Sequence, residues 1–239
     1  MSSHQILNSA EVDCQEIGMA DVDMITFCDS VRSGALASCT SLHLKRNELG
    51  DRGLATLATL LAEDGFPHLQ HLGLHGNLIG DAGTIALATS MVLRKTDLLS
   101  ALLLNSNNFG DEGALALANA AQSGALSHLE KLCLSINRIA DRGAHGLAQA
   151  ALGGEAFSVL RILVLERNHI GDIGMRALAD AILLAGAFPS LVESKGAAYM
   201  HRSQRHQHIF LMGNPGGDAI VHDAISKVRS RRSHTQPLR

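Results

Sequence analysis

Two sets of residues in this chain have the types and spacing that chemistry uses. The first is a carboxylate column, Asp51, Asp81, Asp111, Asp141, Asp172 and Asp218, four of them inside Gly-Asp-x-Gly. Read singly, such a segment imitates a phosphate loop, and together the six imitate an acid–base centre. Their spacings are 30, 30, 30, 31 and 46 residues. Each Asp therefore belongs to a separate copy of one unit, where turn and helix start explain it better than catalysis does. The second set is His201, His206 and His208, within SKGAAYMHRSQRHQH. His206-x-His208 would place two imidazoles on one face of an extended segment, but no Cys or carboxylate stands at a ligand spacing. These read as exposed loop histidines without metal. The chain also lacks a Gly-x-Ser-x-Gly elbow, a Gly-x-x-x-x-Gly-Lys loop and a His-Glu-x-x-His pair. No catalytic, cofactor-binding or metal-ligating residue is expected, and the chain reads as a non-enzyme.

The carboxylates lead back to the unit that carries them. LHLKRNELGDRG, LGLHGNLIGDAG, LLLNSNNFGDEG, LCLSINRIADRG and LVLERNHIGDIG follow one another in phase. An Asn recurs at Asn47, Asn77, Asn107, Asn137, Asn168 and Asn214, behind Leu-x-Leu-x-x or, in the last copy, Ile209-x-Leu211-x-x. Leu-x-Leu has period 2, the mark of a short strand with one buried face. Strands are expected near 42–44, 72–74, 102–104, 132–134, 163–165 and 209–211, all parallel. The Asn amide donates and accepts, so stacked copies would form a ladder that satisfies turn backbone groups. Gly is expected to permit the tight turn, and Asp to cap the helix that follows. Leu57, Leu87, Leu117, Leu147 and Leu178, each followed by Ala, mark the inner face of that helix. Phe-Pro-x-Leu, at 66–69 and 188–191, returns the chain to the next strand. Parallel strands stack about 4.8 Å apart and helices about 8–10 Å, so the array must curve with the sheet on its concave side.

Composition bounds the function classes. A net charge of −3 over 239 residues gives no basic footprint for nucleic acid, and no apolar run is long enough to span a bilayer. Cys14, Cys28, Cys39 and Cys133 show no Cys-x-x-Cys spacing, which suits a reducing compartment. MSSHQILNSAEVDCQEIG has no basic start followed by an apolar core, so no secretory leader is expected.

Leu-x-Leu-x-x-Asn-x-hydrophobic-Gly-Asp-x-Gly resembles the ribonuclease-inhibitor class of leucine-rich repeat. The match runs from about Ser41 to Ala224 and is specific for fold. The resemblance implies an α/β solenoid, a curved horseshoe with a parallel sheet inside and helices outside. Its members share the binding of another macromolecule. It implies a non-enzymatic protein-binding module, an intracellular scaffold or sensor subunit, cytoplasmic with the nucleus left open. The alternative it offers is a GTPase activator similar to the Ran regulator, whose array is longer and usually followed by an acidic stretch; this chain ends basic. A monomer with a protein partner, no nucleic acid and no membrane is expected.

The array is expected to divide into a degenerate N-terminal cap over 1–40, repeats over 41–224 and a helix end with basic tail over 225–239. In the cap, Ala10, Val12, Gln15 and Ile17 stand for Leu, Leu, Asn and Leu. The last copy carries Gly216 and Ile220 where the others have an apolar residue and Gly, and reads as a C-terminal cap. Ser194 to His208 fills no repeat column. It reads as a solvated loop, with an in-frame addition to the gene model or a dedicated binding loop as alternatives. The tail KVRSRRSHTQPLR reads as a solvated, disordered end, with contact to an acidic partner or a nuclear signal as alternatives.

The positions that the repeat leaves free lie on the outward side of the strands. Leu103, Cys133, Ile136, Ile162, Val164 and Phe210 make an apolar strip expected to be exposed, flanked by Lys45, Arg46, Lys131, Glu166 and Arg167. An exposed apolar patch with a charged rim suggests a protein-binding site. Leu103, Cys133, Ile136, Ile162, Val164, Arg167 and Phe210 are the candidate partner contacts.

Overall fold

The computed structural model describes residues 10–33, 36–94, 98–153, 156–185 and 209–233. Strands and helices alternate along the chain. They run β1 (Glu11–Asp13), α1 (Asp21–Arg32), β2 (Ser41–His43), α2 (Asp51–Ala62), β3 (His71–Gly73), α3 (Asp81–Arg94) and β4 (Ala101–Leu103). They continue α4 (Asp111–Gln122), β5 (Lys131–Cys133), α5 (Asp141–Leu152), β6 (Ile162–Val164), α6 (Asp172–Ala185), β7 (Ile209–Phe210) and α7 (Ala219–Ser233). The strands form one open parallel sheet in sequence order, in register from Leu42↔Leu72 to Leu163↔Ile209. This is the α/β repeat solenoid that the Leu-x-Leu period and the helix columns predict.

The core lies between sheet and helices. Leu42, Leu72, Leu102, Leu132 and Leu163 line its sheet side, and Leu57, Leu87, Leu117, Leu147 and Leu178 its helix side, all essentially without exposure. Ala58, Ala88, Ala118, Ala148 and Ala179 are buried beside them, small enough for adjacent helices to pack closely. Phe66 and Leu69 are buried where the chain returns to β3. The second Phe-Pro-x-Leu, 188–191, lies outside the described residues, as do Ser194–His208, with His201, His206 and His208.

The N-terminal register differs from the expected one by two residues. Val12 pairs with Leu42, so Val12, Cys14, Ile17 and Met19 occupy the places of Leu42, Leu44, Asn47 and Leu49. Ile17 is 62% exposed, while Val12 and Met19 are buried. Chemical likeness pointed to Gln15 as the Asn equivalent. The constant offset of thirty residues overrides it, because only that phase carries Met24, Cys28 and Val31 of α1 into the core columns. The C-terminal tail also departs from expectation. Its first residues, 227–233, are the last turns of α7 rather than a disordered end, with Lys227 paired to Asp223 at 2.6 Å.

Candidate protein-binding surface

Two sides of each repeat hold polar groups, and they have different partners. On the turn side, the Asn side chains are 3–8% exposed and bond across repeats. Asn77 Nδ2 donates to the Leu44 and Leu74 carbonyls, each at 2.9 Å, and its Oδ1 accepts from Leu49 N–H at 3.1 Å. Asn107, Asn168 and Asn214 bond in the same way, one repeat to the next. Asn47 does so against the first repeat, accepting from Met19 N–H. Asn137 differs. Its Nδ2 donates to Leu104 and Leu134, but its Oδ1 is buried without a partner among the described residues.

Asp51, Asp111 and Asp141 do not cap their own helices. Gly50, Gly110 and Ala140 are the N-caps of α2, α4 and α5, with extended or near-extended backbone and no side-chain cap bond. Asp51, Asp81, Asp111 and Asp141 instead reach the next repeat. Asp51 Oδ1 accepts from Gly80 N–H at 2.7 Å and Gly83 N–H at 2.9 Å. Asp81 serves Gly110 and Gly113, Asp111 serves Ala140 and Gly143, and Asp141 serves Gly171 and Gly174, all within 2.7–2.8 Å. Asp21 begins the series by accepting from Gly50 N–H at 2.7 Å. Orphan donors of a helix start are thus satisfied by the neighbour's carboxylate. The second Gly makes room for that reach. A Cβ on Gly83 would stand 2.8 Å from Asp51 Oδ1 and 3.0 Å from Asp51 Cα, so the position is held open for the incoming carboxylate. The Gly before Asp has no special turn requirement, since Ala140 fills it in α5 at φ −112°. Asp21 was the signal for the correct N-terminal phase, thirty residues before Asp51.

The other side is the outward face of the sheet. Cys133, Val164 and Phe210 form an apolar cluster separate from the main core, with Leu103 and Ile162 packed against it. The structure therefore brings together five of the six strip residues. It corrects their exposure. Cys133, Val164 and Phe210 are 7%, 5% and 5% exposed, because neighbouring strands set these side chains closely enough to cover one another. Burial pushes the Cys133 thiol up to about 11, so it acts as an apolar group. Leu103 and Ile162 remain half-buried, and Met212, at 55% exposure, extends the accessible apolar area.

Ile136 does not join the cluster. It is 45% exposed in the turn after β5. Its column, Glu16, Arg46, Gly76, Ser106, Ile136, Arg167 and Gly213, lies wholly in the left-handed region, with φ from 51° to 76°. Ile136 at φ 54° is the only β-branched residue there, an unfavourable choice for that backbone. Arg167, also exposed, runs its stem over the next repeat, where a Cβ on Gly213 would meet Arg167 Cγ at 3.0 Å.

Segments 40–58, 67–88, 98–118 and 158–179 match the family model described as Leucine Rich repeat, each running from a strand into the following helix. These four segments of the chain are leucine-rich repeats. No curated protein matches it. Leucine-rich repeats generally mediate protein–protein contact and are generally non-enzymatic. No helix among the described residues is long and apolar enough to cross a membrane.

Toward the N-terminal end the same face becomes charged. His43 Nε2 meets Glu11 at 3.0 Å, and Lys45 and Arg46 share Glu16 at 3.7 and 3.0 Å. His75, half-buried on the next strand segment, has a buried Nδ1 without a hydrogen-bond partner among the described residues. Burial first, then the charges of Lys45, Arg46, His43 and Lys131, hold its imidazole below the ordinary histidine range. His75 is a residue of this face that sequence reasoning did not single out. The repeat only marked it as a free position.

Proposed function

We propose that this leucine-rich repeat chain is a non-enzymatic, monomeric binding module of the ribonuclease-inhibitor-like class, acting inside the cell as a scaffold or sensor subunit. A protein partner docks on the sheet face around Leu103, Cys133, Ile136, Ile162, Val164, Arg167 and Phe210. One observation carries the reading: the repeat needs no apolar residues on this face, yet five of them gather there apart from the core. Accessible Leu103, Ile162 and Met212 supply area to desolvate, and the rim charges supply register. The buried Cys133, Val164 and Phe210 form the floor beneath them.

Site-specific photo-crosslinking tests it. A benzophenone side chain replaces Leu103 in one variant and Ile85, exposed on helix α3, in another. Discrete crosslinked protein adducts from the Leu103 position and none from Ile85 are expected in cells. Adducts confined to Ile85 would move recognition to the convex side. Stimulated GTP hydrolysis by a small GTPase, unchanged by Leu103→Glu, would favour the activator instead.

A further inference from the structure

The strand and turn segments 41–46, 71–76, 101–106 and 131–136 lie side by side on the sheet. Together they hold Lys45, Arg46, Lys131, His43, His71 and His75 and not one Asp or Glu. The carboxylates of this face stand at its borders: Glu11, Asp13 and Glu16 beyond β2, and Glu166 beyond β5. Glu11 and Glu16 are engaged by His43, Lys45 and Arg46. Lys131 has no ion-pair partner among the described residues. Next to it in the register is Ile162, on the apolar side. Lys131 without an ion-pair partner, and His75 with a buried ring nitrogen without a hydrogen-bond partner among the described residues, lie on strand segments that hold no carboxylate, a setting complementary to an anion-bearing ligand.

Resting on the sheet-face reading above, we propose that the bound segment is an extended acidic stretch of a protein. Its carboxylates lie over His75, Lys131 and Lys45, and an apolar side chain sits on Leu103, Ile162 and Met212. The neutral His75 ring can donate through one nitrogen to a carboxylate while the other accepts. The distance sets the pattern. From β3 to β6 or β7 is three to four strand spacings, about 14–19 Å, which an extended chain covers in about four to six residues. The apolar residue is therefore about four to seven positions from carboxylates over His75 and Lys45, and about one to three from one over Lys131, which is one to two spacings from β6 and β7. A nucleic acid fits less well. Its bases need aromatic platforms, and the one aromatic ring in this apolar cluster, Phe210, is 5% exposed.

The test is a random peptide library displayed on phage and panned on the intact protein. Enriched peptides are then made with a fluorophore and titrated by polarisation. Expected is enrichment of Asp or Glu within about seven residues of Leu, Ile, Phe or Met. Affinity should drop about fivefold or more with Lys131→Glu, and drop again when salt is raised. Lys131→Gln serves as a milder variant, and melting curves check that both remain folded. Neutral or basic peptides that bind and are lost with Leu103→Glu would overturn the acidic assignment and leave the sheet-face reading intact. Acidic peptides indifferent to Lys131→Glu, Lys131→Gln and Leu103→Glu would overturn both. Failure of any peptide to enrich counts against the proposal. So does tighter binding of a labelled single-stranded RNA oligonucleotide that is lost with Lys131→Glu.

Discussion

The turn side and the sheet face use the same thirty-residue period to opposite ends. On the turn side the central repeats share Asn and Asp, and their partners lie one repeat away: Asp51 holds Gly80 and Gly83, and Asn77 holds Leu44 and Leu49. On the sheet face every repeat differs, from His43 and Gly73 through Leu103 to Cys133 and Val164. The difference teaches where each kind of constraint comes from. A buried backbone donor must find an acceptor in every repeat, so its partner cannot vary. A side chain over the sheet satisfies no such debt of the framework and is free to suit a ligand.

Two glycines give the comparison its largest contrast. Gly83→Val should lower stability by about 3 kcal/mol, since the new side chain meets Asp51 main chain as well as its carboxylate. Gly73→Ala on the sheet face should change it by less than about 0.5 kcal/mol, because its Cβ would meet His43 Nδ1 at 3.4 Å, near ordinary contact. Urea unfolding of the two variants measures both, and equal losses would break the comparison. Asp111→Ala comes next, with about 2–3 kcal/mol lost as the N–H groups of Ala140 and Gly143 lose their acceptor. Among the Asn residues, Asn107→Ala should cost about 2 kcal/mol and Asn137→Ala about 1 kcal/mol less, because the Asn137 oxygen has no donor to lose. Leu103→Glu should cost less than about 1 kcal/mol, since this half-buried side chain can turn its carboxylate to water. Smallest is a pH effect. The folded pKa of His75 is below its ordinary 6.5, so the unfolded chain binds the proton more readily. Stability should fall as pH drops through the unfolded value, and His75→Gln should make the decline between pH 7 and pH 5 slightly shallower in melting scans.

Much of the fold was legible because Leu-x-Leu and the Leu-Ala helix columns report their own burial through local periodicity. Six of the seven strands follow from them. The first strand was placed two residues out because Ala10 and Gln15 resemble the motif more closely than Cys14 and Ile17 do, while phase, fixed by stacking, decides. The reach of Asp51 to Gly80 was not legible, since a capping Asp and a neighbour-holding Asp look alike until two repeats are set side by side. The membership of the sheet-face cluster could be read from alternation alone. Its exposure could not, because how far Val164 and Phe210 cover one another depends on strand spacing and side-chain direction. His75 stayed hidden for the same reason. Its missing hydrogen bond is a property of the space around it.

The division of roles rests most directly on the claim that each helix start is held by the preceding repeat. Amide hydrogen exchange in Asp81→Ala, followed residue by residue by NMR, tests it. The account predicts that Gly110 and Gly113, which donate to Asp81 at 2.8 and 2.7 Å, lose protection, while Gly80 and Gly83, which donate to Asp51, keep theirs. Faster exchange at Gly80 and Gly83 with Gly110 and Gly113 unchanged would mean that Asp81 caps its own helix, and would contradict it.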